Sequence, residues 1–329
     1  MEEVLEEQKT SFLGSESGKG KVKKLVKLNQ VKSKKLSRIK TGISEFDRVL
    51  GGGVVSGSLV LLAGSPGIGK STLLTQLALE LAKSKKQKAK SKKQQNTILY
   101  ICGEESPGQV KIRIKRLLGS KFKVQDSNLF LLPETQIENI VATINSQTLI
   151  IVDSIQSLWT QRLTGSAGTV GKVRHCSNML LNIAKMTNIP VILIGHITKE
   201  GSIAGPKVLE HLVDTVLYLE GDKEHQFRIL RTYKNRFGPT DEVGVFQMTD
   251  KGMEEVKNPA DVFLEERKEK EAGSAIVVSI QGVRPILVEV QALVVPTKLA
   301  VPRRVASGCL LYTSPSPRDL STPRMPSSA

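Results

Sequence analysis

Residues 58–63 (SLVLLA) are apolar without a break after Ser58, the pattern of a strand buried on both faces. Similar short apolar runs return at 97–102, 148–152 and 190–194. Between them the spacing changes: Leu73, Leu74, Leu77, Ala78 and Leu81 recur at the three- and four-residue intervals of one helix face, predicting a helix over 71–81. Residues 107–118 read as a basic amphipathic helix and 171–187 as a third helix, while 214–219 and 226–231 add strands to the second half. Strands alternating with helices predict an α/β fold, a mainly parallel sheet with helices on both faces, over residues 41–260. A charged connector at 265–271 precedes a new β-rich stretch, 274–295.

Charge modifies this picture at the edges. The chain of 329 residues has 48 Lys and Arg against 32 Asp and Glu, a net charge of +16. Residues 17–40 hold ten cations and no acid, and residues 83–93 hold seven lysines and no acid, which accounts for the whole excess. The folded body is therefore near neutral, and residues 1–40 read as a basic linker. The lysine run at 83–93 reads first as a solvated insertion between a helix and a strand; strengthening of phosphate contacts in a salt-dependent way is the alternative. No apolar run approaches the ~18 residues of a membrane span, and no signal-peptide core comes after Met1, so a cytoplasmic chain without a membrane partner is expected. Cys102, Cys176 and Cys309 are scattered, which excludes a disulfide framework and a local zinc knuckle.

The chemistry is concentrated at the ends of the apolar runs. Gly64-Ser65-Pro66-Gly67-Ile68-Gly69-Lys70-Ser71 matches GxxxxGK[ST] between a predicted strand and a predicted helix. Glycines let backbone N–H groups turn toward a phosphate, and the helix N-terminus adds its positive dipole end. With Thr72, these residues form the candidate ATP site; Lys70 reaches the β- and γ-phosphates and the Ser71 hydroxyl ligates Mg²⁺. The run 148–152 ends in Asp153, where a carboxylate at a strand C-terminus faces the ligand crevice and holds Mg²⁺ through water. Glu104 and Glu105 come after the run 97–102; Glu104 is assigned as the base that activates water, and Glu105 as a possible cap of the next helix. His196, after the run 190–194, is a candidate γ-phosphate sensor, with a hydrogen-bonded structural histidine as the alternative.

Two Gly/Ser-rich stretches with spaced cations, 160–175 and 199–207, suit loops that track a phosphate backbone. Arg162, Lys172, Arg174, Lys199 and Lys207 are the candidate DNA contacts, against the alternative of ordinary solvated loops. Neither stretch holds an aromatic residue, so contact is expected to be sequence-neutral. Trp159, the single tryptophan, reads as packing rather than as a stacking platform.

The order of P-loop, Glu-bearing strand, Asp-bearing strand and polar switch strand resembles the RecA/DnaB class of P-loop ATPases. Within it, residues 38–71, CGEES at 102–106, GHITKEG at 195–201 and KNRFG at 234–238 resemble the bacterial DNA-repair ATPase family RadA (Sms). Residues 274–308 resemble the start of that family's Lon-protease-like α+β domain, so 261–308 is expected to be a connector and a truncated copy of it. The resemblance spans about 37–308. Residues 309–329 (CLLYTSPSPRDLSTPRMPSSA) resemble a translated sequencing adapter and are expected to be a non-native tail. The family begins with a four-cysteine zinc finger; Met1-Glu-Glu-Val resembles the stretch directly after that finger, so Zn²⁺ is expected only in a finger missing from this sequence.

The resemblance implies a DNA-dependent, helicase-like ATPase of recombinational repair. Its implied partners are single-stranded DNA, recombination intermediates and a RecA-type recombinase, and its implied assembly is a hexameric ring. It also implies that Lys234 and Arg236 are catalytic, reaching across a subunit interface to the next protomer's γ-phosphate. A non-motor RecA-fold ATP switch that gates partner binding is the rival reading, and a RecA-type recombinase a third.

Overall fold

The computed structural model describes residues 37–83, 96–119, 128–196, 209–221, 226–256, 273–281, 283–293 and 295–296. Strand β1 (Arg38–Ile39) pairs antiparallel with β2 (Val54–Val55), and the short helix α1 (Ser44–Val49) lies between them in sequence. The chain continues through β3 (Leu59–Gly64), α2 (Lys70–Lys83), β4 (Ile98–Cys102), α3 (Pro107–Leu118), β5 (Leu129–Leu132), α4 (Ile137–Thr143) and β6 (Leu149–Asp153). A 3₁₀ turn (Ile155–Ser157) leads to α5 (Val170–Thr187), and then come β7 (Val191–His196), β8 (Thr215–Glu220), β9 (Phe227–Asn235), β10 (Val243–Thr249) and β11 (Gly252–Glu255).

Among the described residues nine strands form one sheet in the order β11-β10-β9-β8-β3-β7-β6-β4-β5. The six strands from β8 to β5 run parallel, and β9, β10 and β11 extend one edge antiparallel. Alternate residues of each parallel strand serve opposite faces, as a period of two requires. Val60 and Leu62 of β3 join Leu73, Leu74, Leu77 and Leu81 of α2, with Val110 and Ile114 of α3, in one core. Leu59 and Leu61 join Ile137 and Ile140 of α4, with Val173, Cys176 and Leu180 of α5, in the other. Fully burying one such Leu or Ile stabilises the fold by ~1.5–3 kcal/mol. The expectation of a mainly parallel sheet covered on both faces holds.

Helix α3 starts where its capping sequence says it should. The Ser106 hydroxyl accepts the Gln109 backbone N–H, the Gln109 side chain returns to the Ser106 N–H, and Pro107 occupies the first turn.

One expectation needs correction. The strand predicted to end at Arg231 continues to Asn235, so Lys234 and Asn235 close β9 and do not lie beyond it. Val216 pairs with Lys234 but Leu217 pairs with Thr232, so the ladder slips by one residue and leaves Tyr233 exposed. This bulge hid the last strand turn from a pattern read with a strict period of two. In the 274–295 stretch, β12 (Ser274–Gln281) and β13 (Arg284–Gln291) form an antiparallel hairpin. Residues 1–36, 84–93, 199, 207, 265–271 and 309–329, which carry the linker, the lysine run after Lys83, two of the loop cations, the charged connector and the tail, lie outside the described residues. Among the described residues no helix is long and apolar enough to cross a membrane.

Candidate active site

The parallel strands all end at one edge, and the candidate nucleotide-site residues gather there. Gly64 closes β3 and aligns with His196 at the end of β7 on one side and Leu219 of β8 on the other. Ser65, Pro66 and Gly67 are exposed, Ile68 is buried, and Ser71 and Thr72 sit half-buried in the first turn of α2. Gly64 and Gly69 show why this loop needs glycine. A Cβ on Gly64 would lie 2.6 Å from the Leu219 carbonyl oxygen, and Gly69, at φ +113°, would place one 2.3 Å from Met253 Cε. The β10–β11 hairpin that carries Met253 is fastened to α2: the Met253 N–H donates to Gln76 Oε1 at 2.9 Å, and Gln76 Nε2 donates to the Met253 carbonyl at 3.0 Å.

Lys70 is 3% exposed, and its ammonium donates to the carbonyls of Gly64 at 2.8 Å and Ser65 at 3.0 Å. Burial lowers its pKa to about 8, while Asp153 and Glu104 pull the other way. The two carboxylates are thus electrostatic neighbours of the P-loop lysine, as the sequence order implied.

Asp153 ends β6 and is buried, with its Oδ2 accepting the Tyr100 hydroxyl at 2.5 Å. Arg113 of α3 lies 3.9 Å from the same oxygen and forms an ion pair with Glu105. Arg113 therefore pairs with Glu105, while Glu104 has other partners. Glu104 Oε1 accepts the Ser154 hydroxyl, and Oε2 pairs with His196 Nε2 at 3.1 Å. The His196 bond is the main reason its carboxyl sits below the usual range; burial opposes and Ser154 assists.

Among the described residues no cluster of three or more His, Cys, Asp and Glu could hold a metal by itself. The Ser71 hydroxyl and the Asp153 carboxylate are hard oxygen donors, the set Mg²⁺ takes when substrate phosphates complete its shell.

The remaining candidates divide. Arg162 is exposed and 3.8 Å from Glu138, and Arg174 is exposed on α5. Lys172 departs from its assignment as a DNA contact: it is buried, with Nζ 5.9 Å from the Trp159 ring centroid, so its charge faces an aromatic ring and not solvent. Trp159 itself is half-buried, its indole N–H donating to Thr135 Oγ1 at 3.1 Å.

Lys234 and Arg236 stand apart from the P-loop. The Arg236 N–H donates to the Asp214 carbonyl and its guanidinium to Asp214 Oδ1, both at 3.0 Å. Asp214 Oδ2 accepts the Leu59 N–H, at the start of β3. Five residues at ~3.3 Å each separate Leu59 from Gly64, so Arg236 sits about 16 Å from the phosphate end of that strand. Lys234 donates to the carbonyls of Glu210 at 2.5 Å and Val213 at 3.0 Å. Arg38 clamps the turn after β9, donating to Phe237 O at 2.6 Å, Leu50 O at 2.9 Å and Gly53 O at 3.2 Å.

Sequence reasoning missed Tyr100, Arg113, Ser154 and Arg38. Only Arg113 gave a signal: it stands between Val110, Ile114 and Leu117 on the apolar face of α3, where a cation needs a reason.

Comparison with known proteins places the arrangement. A family model described as AAA domain matches residues 27–202. The DNA repair protein RadA of Bacillus subtilis is 48% identical over 289 residues, 87% of this chain and 60% of that protein. RadA of Rickettsia conorii is 50% identical over 275 residues, 82% of this chain and 59% of that protein. The chain thus spans about 60% of the length of these relatives. Two solved structures share the fold: a RadB recombinase, with TM-score 0.50 and 23% identity, covers 66% of this chain and 99% of its own. A second, an isolated ATPase domain with TM-score 0.52 and 15% identity, covers 68% of this chain and 92% of its own.

Proposed function

From the premise that the chain belongs to the RadA family of bacterial DNA repair proteins, we propose that it is a DNA-dependent ATPase that processes recombination intermediates by branch migration on single-stranded DNA. The observation that carries this reading is the gathering of Lys70, Glu104, Asp153 and His196 at one edge of the sheet. ATP binds with its phosphates in the loop 64–72, against the backbone N–H groups and the α2 N-terminus. Lys70 compensates the charge that develops on the β- and γ-oxygens. Ser71 and Asp153 would hold Mg²⁺, which supplies further charge neutralisation on those oxygens. Glu104 orients and deprotonates the attacking water, and His196, bonded to it, reports the γ-phosphate.

The distance of Arg236 from its own P-loop supports action on a neighbour. A cation at the start of the strands and a nucleotide at their ends suit a head-to-tail contact between copies, which closes rings or extends filaments. A hexameric ring threaded by DNA is the assembly we favour, with the exposed Arg162 and Arg174, and Lys199 and Lys207 of the second loop, tracking the phosphate backbone.

Two measurements test these roles. Glu104→Gln is expected to bind ATP and to hydrolyse it ~10²–10⁴-fold more slowly, because the amide keeps the shape and loses the base. Glu105→Gln, whose partner is Arg113, is expected to be far milder; the reverse ranking in a phosphate-release assay would move the base to Glu105.

Single-stranded DNA is expected to stimulate turnover, with a response that falls steeply as salt rises. Removing Arg162 and Arg174 together should flatten the slope of log affinity against log salt by ~0.7 per lost contact. An unchanged slope would exclude this loop. Turnover indifferent to DNA at every salt concentration would instead favour the ATP switch.

A further inference from the structure

The carboxylate proposed as the base has both oxygens engaged by the protein. Oε2 pairs with His196, and Oε1 accepts from Ser154, the first residue after the metal-side strand β6. Ser154 opens the turn 154–157, and every side of that turn is tied to the site. Gly103 and Glu104 donate their N–H groups to the Asp153 carbonyl at 2.7 and 3.2 Å. The Ser157 hydroxyl donates to the Ser154 carbonyl at 2.7 Å and lies so close to Gly103 that a Cβ there would meet it at 1.9 Å. Gln156 Nε2 reaches the His196 carbonyl at 3.5 Å, while Gln156 Oε1 and His196 Nδ1 are buried without a protein partner.

The same turn is the root of the proposed DNA loop. Leu158 joins it to Trp159 and Thr160, and just before α5 the position of a Cβ on Gly168 lies 3.5 Å from the Gln156 carbonyl oxygen. The loop thus touches the turn at both ends, and the turn touches the base.

We infer that Ser154 is a positioning residue that restrains Glu104 away from the attacking water until the loop is engaged by DNA. The inference rests on the proposed roles of Glu104 and of the loop. A hydroxyl donor takes one of the two lone pairs of that carboxylate oxygen and stabilises its charged form, so the restrained carboxylate is a weaker base. Loop movement on DNA withdraws the donor through the turn, and the freed oxygen accepts the water's proton. DNA stimulation is then the release of a restraint, and the base is built before DNA arrives.

The test compares ATP turnover of the full chain with and without single-stranded DNA. Ser154→Ala is expected to raise the DNA-free rate by roughly tenfold, the worth of one hydrogen bond to a charged group, and to shrink the stimulation ratio toward one. Ser154→Thr, which keeps the hydroxyl, is expected to preserve the low basal rate and the full ratio. Should Ser154→Ala fold poorly, Ser157→Ala loosens the same turn and is expected to act in the same direction. Equal loss of rate with and without DNA would overturn the proposal, because the hydroxyl would then orient the active base. Unchanged rates in both states would overturn it as well. Glu104→Gln run beside these variants separates the two failures: if it hydrolyses normally, the assignment of the base falls and the restraint falls with it.

Discussion

Lys70→Ala is expected to reduce ATP hydrolysis by at least ~10²–10³-fold while the chain remains folded. The ammonium is buried at the base of the loop, bonded to two loop carbonyls, with Asp153 and Glu104 as its charge neighbours. With its pKa at about 8, Lys70 remains mostly protonated at neutral pH and supplies a full charge where the transition state gathers its own. Alanine removes that charge and leaves the glycine-defined loop geometry in place. Phosphate release at saturating ATP, beside a melting curve, checks the expectation. Near-normal turnover by a folded variant would remove the loop from the mechanism.

Arg236→Ala is expected to bind ATP within about twofold of the unaltered chain and to turn it over ~10³-fold more slowly. The guanidinium sits at the strand-start edge, so its loss leaves the chain's own phosphate loop untouched. Its partner Asp214 keeps the Leu59 N–H, which limits the structural damage. Arg236→Lys is the informative companion. It preserves a cation beside Asp214 but loses the planar fork that grips a phosphoryl group, so it should fold normally and stay slow. Recovery of activity in Arg236→Lys would reduce the role to one of charge alone.

The parts of this site that were legible in the sequence are those whose chemistry is local. The loop 64–72, the carboxylate after each apolar run and His196 emerge from spacing along one strand–turn–helix unit, and the sheet brings them to one edge. What escaped is set by pairing across strands. Arg113, which arrives from α3, pairs with Glu105 and so sets the two neighbouring carboxylates apart. The hydroxyl that bonds Glu104 Oε1 comes from a serine fifty residues away in sequence. Arg38 reaches Phe237 across 199 residues, and no periodicity encodes such a contact. The six-residue helix α1 and the four-residue edge strand β5 are too short for a period to declare itself. The assignment of Lys172 illustrates the limit of composition: a lysine in a Gly-rich stretch reads as solvated, but the first turn of α5 places it over Trp159.

Sharing of one catalytic site between two copies is the central claim, and mixing two inactive variants tests it most directly. Lys70→Ala lacks a working phosphate loop but keeps Arg236; Arg236→Ala lacks the guanidinium but keeps the loop. When the two are assembled together, some interfaces pair an intact loop with an intact Arg236, and ATP hydrolysis is predicted to rise above that of either variant alone. Mixed assemblies that form, verified by differential tagging, yet hydrolyse no faster than their parents would contradict the account.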